Sequence, residues 1–96
     1  MTDVGVHVHD AGDRYEARSA DGALLGATYY DVVDGRVVFT HTEVDPAHEG
    51  QGIAGALVEA ALDSVRASGH AVVALCPYVK AWIRRHPDYA DLLHHP

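Results

Sequence analysis

Between Phe39 and Leu57 the chain changes its hydrophobic period, and it does so across a glycine turn. Val37, Val38 and Phe39 read as an apolar strand that runs through Val44-Asp45-Pro46 into His48-Glu49-Gly50-Gln51-Gly52-Ile53-Ala54. From there Ile53, Ala54, Leu57, Val58, Ala61, Leu62 and Val65 recur at three- and four-residue intervals. This leaves Gln51, Glu59, Asp63 and Arg66 for the polar side of a helix. Ser68-Gly69 then supplies the glycine that a left-handed helix end prefers. A strand that turns through glycines into a helix leaves several N–H groups without intrahelical partners, with the positive end of the helix dipole behind them. Such a turn is an anion site, and a pyrophosphate is the anion it suits best.

The rest of the chain builds a sheet around this unit. Arg14 to Arg18 alternates polar and apolar as a half-buried strand does, and Ser19-Ala20-Asp21-Gly22 follows as a turn. Leu24 to Val33 is a second strand, and Asp34-Gly35 is a two-residue hairpin signal that returns Arg36 to Val44 antiparallel to it. Val4 to Val8 reads as an additional strand at the start. Ala71 to Leu75 is a continuous apolar run, the pattern of a strand buried on both faces. Strand, helix and strand imply a right-handed crossover that lays Ala71 to Leu75 parallel to Arg36 to Val44. Pro77 suits the first turn of a last helix through Arg85. The expected fold is therefore a mixed α+β (or α/β) sheet: antiparallel N-terminal strands, a parallel β-α-β unit and a C-terminal helix. Leu24 to Val33 is a candidate exposed edge for dimerisation.

With 96 residues, one core and one domain, spanning residues 1–96, are expected. A net charge of −7 argues against nucleic acid, whose phosphates demand clustered Lys and Arg, and suits either solubility or a cationic acceptor. Cys76 is the only cysteine, so no intramolecular disulfide forms. There is no run of about 20 apolar residues to cross a bilayer, and the start Met1-Thr2-Asp3-Val4-Gly5 lacks the basic and apolar regions of a signal peptide. A cytoplasmic chain with no membrane partner is expected, as monomer or weak homodimer. His7-x-His9 has no companion cluster of Cys, Asp and Glu, so no metal is expected. His94-His95-Pro96 carries no inference.

Four segments in one order, His41-Thr42-Glu43-Val44, Gly50 to Ala54, Cys76-Pro77-Tyr78-Val79 and Arg85-His86-Pro87-Asp88-Tyr89, resemble the small single-domain branch of the GCN5-related N-acetyltransferases over roughly residues 8 to 93. The resemblance implies transfer of an acetyl group from acetyl-CoA to a primary amine. The acceptor would be a small molecule, a lysine side chain or a protein N-terminus. It also implies that the pantetheine arm of coenzyme A lies against backbone from Thr42 to Val44, that the Val44 N–H polarises the thioester, and that the amides of Gly50, Gln51, Gly52, Ile53 and Ala54 hold the pyrophosphate. Glu49 stands where most members carry Arg or Gln, and a carboxylate repels phosphate. Lys80, Arg84 and Arg85 are three of the seven basic residues. With Lys80 and Arg84 sharing a helix face, they either meet the 3′-phosphate or form a solvated surface.

Acetyl transfer to an amine needs a base for the ammonium and an acid for the leaving thiolate. His41 is the candidate base, directly or through water, with Glu43, two residues along and on the same strand face, in reserve. Its alternative is a histidine hydrogen-bonded within the sheet. His41, Glu43, Val44 and Cys76 are expected to converge on one cleft beyond the ends of the two parallel strands, with Cys76 near enough to His41 to pair with it. Cys76 is read as the acid, a covalent acetyl carrier or an inert core thiol. Tyr78 is the competing acid, ranked just below it. Trp82, Ile83, Tyr89, Leu92 and Leu93 pack the last helix and tail, with Trp82 or Tyr89 as candidate adenine contacts. The rival reading is a noncatalytic acyl-CoA-binding or protein-interaction module on the same fold.

Overall fold

Asp34 and Gly35 both take positive φ, 53° and 76°, the two left-handed residues that a tight hairpin turn needs to match the twist of its strands. In the computed structural model, which describes residues 6–94, they join β3 (Leu24–Val33) to β4 (Arg36–Val44). β1 (His7–Asp10) and β2 (Arg14–Arg18) precede this hairpin. α1 (Ile53–Ser68), β5 (Ala71–Ala74) and α2 (Pro77–Arg85) follow it. The five strands lie in sequence order, antiparallel from β1 to β4 and parallel between β4 and β5. α1 makes the crossover and ends at Gly69, whose φ of 79° is the left-handed geometry a glycine adopts without steric cost. This is the mixed sheet expected from the hydrophobic periods.

Three expectations change. The first strand begins at His7; Val4 and Gly5 lie outside the described residues. Leu24–Val33 is the middle strand, paired on both sides, so it is not an exposed edge. β5 is an edge strand: only Val72 is fully buried, and Leu75 is 63% exposed just past its end. Its apolar run reflects one deeply packed residue rather than cover on both faces. The free side of β5 is partly capped by a bridge from Val72 to Leu93.

Both helices pack on the same sheet face. Tyr15, Phe39 and Val72 from the strands, Leu57 and Leu62 from α1, and Val79 and Trp82 from α2 form one buried cluster. Burying each large aliphatic or aromatic side chain there contributes about 1.5–3 kcal/mol. Arg66 anchors the tail to α1 through Asp91 at 2.8 Å and the Asp88 carbonyl at 2.9 Å. The opposite face is polar. Arg14 and Arg18 both bond Glu16 there, screening a carboxylate that is only 7% exposed and holding its pKa below the usual range through those hydrogen bonds.

One irregularity in β4 decides where its residues point. Tyr30 is paired with Phe39 and Tyr29 with His41, so Thr40 is an extra residue opposite no partner. Such a bulge reverses the alternation of side chains beyond it. Phe39 is 1% exposed and packs against Tyr15 and Tyr30. Three residues later Thr42 is on that same inner face, its hydroxyl 2.9 Å from that of fully buried Thr28.

Candidate functional site

Beyond Phe39 and Ala74 the two parallel strands are no longer paired. Leu75 and Cys76 both donate their N–H to the Phe39 carbonyl, at 3.0 and 2.8 Å, and the chain then turns away into α2. The gap beside the last residues of β4 opens into a cleft of about 390 Å³, lined by Thr42, Val44, His48, Glu49, Gly50, Gly52, Ile53, Ala54, Gly55 and Tyr78. Asp45 fixes the chain just past β4: its N–H bonds the Leu25 carbonyl at 2.8 Å and its carboxylate accepts from the Ala47 N–H at 2.9 Å. Gly50 and Gly52 have φ of 82° and 78°, values that side-chain-bearing residues rarely take. The first bond of the α1 ladder runs from the Ala56 N–H to the Gly52 carbonyl. The amides of Ile53, Ala54 and Gly55 therefore precede the ladder and have no intrahelical partner. No side chain caps this end, and no acidic residue sits in the first turn. The turn thus presents uncapped donors and a positive helix end to the cleft.

His48 faces the same space, with its Nδ1 3.2 Å from the Gln51 side-chain oxygen. His48 and Glu49 both line the cleft. Sequence reasoning passed over both His48 and Gly55. The one signal for His48 was its place in the turn itself, and Gly55 looked like an ordinary small residue on a helix.

The expected convergence of His41, Glu43, Val44 and Cys76 on one cleft does not occur. The Thr40 bulge sends His41 to the open face, where its Nε2 is 2.8 Å from a Glu43 carboxylate oxygen and its ring stacks near Tyr29, centroids 6.0 Å apart. Both side chains are about 60% exposed. Cys76 is on the inner face, 2% exposed, its sulfur 3.3 Å from the Thr42 hydroxyl. A Cys76–His41 pair is excluded by the sheet between them. A second cleft of about 330 Å³ lies on the open side of this strand end, lined by Leu24, Tyr29, Glu43, Val44, Asp45, Pro46 and neighbours in β3. Val44 lines both clefts.

Tyr78, unlike Cys76, is part of the cleft wall. Lys80 and Arg84 stand about 200–240° around α2 from Tyr78 by the helical period, on its exposed side. Arg85 shares the Tyr78 side. The basic patch is therefore split, with only Arg85 turned toward the cleft side. Tyr89 donates its hydroxyl to Asp63 at 2.8 Å, which with burial pushes its pKa up to about 12. Among the described residues no group of three or more His, Cys, Asp and Glu is placed to hold a metal ion, and no helix is long and apolar enough to cross a membrane.

Residues 14–92 match the sequence pattern of a family described as GCN5-related N-acetyl-transferase. No curated protein matches the chain in sequence. Among solved structures, a GCN5-like protein from Staphylococcus aureus aligns with a TM-score of 0.72 at 20% identity, over 96% of this chain and 91% of that one. A ribosomal-protein-alanine N-acetyltransferase from Brucella melitensis biovar Abortus 2308 aligns with a TM-score of 0.56 at 24% identity, over 86% of this chain but 62% of its own. Nourseothricin acetyltransferase gives 0.51 at 22% identity, over 74% and 58% respectively. These likenesses are of fold, and the last two proteins are substantially longer than the part this chain matches.

Proposed function

Because the chain belongs to the GCN5-related N-acetyltransferase family, we propose that it carries an acetyl group from acetyl-CoA to a primary amine across the two sides of the β4 end. The observation that carries this is the cleft beside the divergence of β4 and β5, into which the uncapped amides of the glycine turn open. A β-carbon built on Gly50 or Gly52 would have open space around it, so backbone, not side chain, forms this rim, as close approach of a pyrophosphate requires. Glu49 opposes that anion and His48 favours it. The amides from Gly50 to Ala54 would hold the pyrophosphate, backbone from Thr42 to Val44 the arm, and Arg85 is the better-placed of the three basic residues for a more distant phosphate.

When bound, acetyl-CoA supplies the acetyl group as a thioester, whose carbon an amine attacks as the thiolate departs. His41 would take the ammonium proton, directly or through water, while Glu43, 2.8 Å from its Nε2, orients the imidazole. Tyr78 would return a proton from the cleft side. Its place in the wall supports it over Cys76, which lies behind Thr42 as a packed thiol. The open face admits the acceptor, whether a small amine, a lysine or a protein N-terminus.

Calorimetric titration with acetyl-CoA tests the reading. One-to-one binding at micromolar Kd, about −8 kcal/mol, is expected. Release of free thiol should follow when an amine is added. Silence at millimolar ligand would sink the proposal, and saturable binding without thiol release for any amine would favour the noncatalytic binding module.

A further inference from the structure

Trp82 is 5% exposed, and its ring is held on several sides. The His86 imidazole stacks on it at 3.8 Å and 13°, while donating from Nδ1 to the Trp82 carbonyl at 2.8 Å. Tyr89 meets it edge-on, centroids 5.0 Å apart. This grip fixes where the indole N–H points. The nitrogen is 3.7 Å from the place where a β-carbon on Gly55 would stand, and the Tyr78 hydroxyl is also 3.7 Å from it. Neither group takes part in a hydrogen bond among the described residues. Neither is sealed away, since every side-chain nitrogen or oxygen cut off from solvent among those residues has a partner. Two neutral donors thus converge on the missing side chain of Gly55, in the first turn of α1 and in the wall of the cleft.

We infer that Trp82 is a ligand-binding residue: beside Tyr78, it donates a hydrogen bond from its indole N–H, across the gap left by Gly55, to an oxygen of the phosphorylated ligand in the cleft. The inference rests on the coenzyme reading above and deepens it. The indole N–H reaches solvent and has no acceptor among the described residues, so a ligand oxygen can replace water there, and a tryptophan held by His86 and Tyr89 offers the donor with little further ordering. Because the indole is neutral, it adds a directional contact without adding charge, which the helix end already supplies. Gly55 is then small for the ligand's sake. An alanine there meets both atoms at ordinary van der Waals distance, so it fits the protein, yet its methyl group crowds the space through which a ligand oxygen would approach the indole N–H.

The test is titration of the purified full-length protein with coenzyme A, by calorimetry, for wild type, Trp82→Phe and Gly55→Ala, with melting temperatures measured in parallel. Loss of one such hydrogen bond should weaken binding about three- to tenfold in each variant. Gly55→Ala should melt at or above the wild-type temperature, because alanine is the better helix residue. A purely structural glycine predicts the reverse pattern, lower melting with unchanged affinity. Trp82 is the only tryptophan, so its emission should also change as wild type is titrated. Wild-type affinity in both variants would overturn this inference and leave the coenzyme reading standing. No binding by wild type would overturn both.

Discussion

The two halves of β4 differ in everything but their strand. Arg36–Phe39 is paired on both sides, with β3 and β5, and sends Val37 and Phe39 into the core. His41–Val44 is paired with β3 alone, and past the bulge at Thr40 it sends His41 and Glu43 to open solvent and Thr42 inward. The first half is built for stability and the second for access. A strand can serve both only because one unpaired residue resets which way its side chains face. The difference teaches that within a small sheet the loss of one neighbour, not a new element, opens a cleft.

The largest test of this contrast compares Phe39→Ala with His41→Ala in urea unfolding. Truncating the buried ring should cost about 3–5 kcal/mol, and the exposed histidine within about 0.5 kcal/mol. The latter should lower acetyl transfer by roughly 10²–10⁴-fold, the usual reach of general-base catalysis. Comparable destabilisation by the two would erase the division. Gly26→Ala probes the joint with the second half from β3. Its β-carbon would fall 2.7 Å from the Glu43 carbonyl oxygen and 3.3 Å from Val44, so the strands must separate, at about 1–3 kcal/mol, visible as a lower urea midpoint. Thr42→Val keeps the shape but removes the hydroxyl that links Thr28 to Cys76, and about 1 kcal/mol should be lost. If the variant is as stable as wild type, the inward turn of Thr42 contributes packing only.

The smallest effect is one of pH and lies on the open face itself. Arg14 and Arg18 lower the folded pKa of Glu16. The stability this confers is full above the unfolded value of about 4.3 and is lost as pH falls through the lower folded value. Acid unfolding should therefore be steeper below pH 4.3 in wild type than in Glu16→Gln. Identical acid limbs would mean that the arginines act only as cover.

The sequence displayed the elements well because their signals are local. Asp34-Gly35 could only be a tight turn, Ser68-Gly69 a helix end, and the period from Ile53 to Val65 a helix with one buried side. β5 was read as doubly buried because an apolar run looks the same at a sheet edge that a helix covers from one side. The bulge left no such mark. Tyr29, Tyr30 and Thr40 are ordinary strand residues, and the shift arises from how two strands pair, so strict alternation put His41 beside Cys76 when they face opposite ways. The glycine rim was legible from its spacing. The approach of Trp82 to Gly55 was not, because the two are 27 positions apart in sequence and meet only when α2 packs on α1.

Consecutive strand order carries a kinetic consequence. From β1 to β4 each strand can be added to its predecessor by closing a short turn, whereas β5 must wait for the whole of α1 before Ala71 can meet Arg36. The entropy of closing that longer loop, though it grows slowly with length, falls on the parallel join. Folding should thus be limited by the same joint whose far end is left open as the cleft. In native-state amide exchange the β4–β5 ladder is expected to open at lower free energy than the β3–β4 ladder. A ligand spanning the joint would then stabilise the part of the molecule that is assembled last.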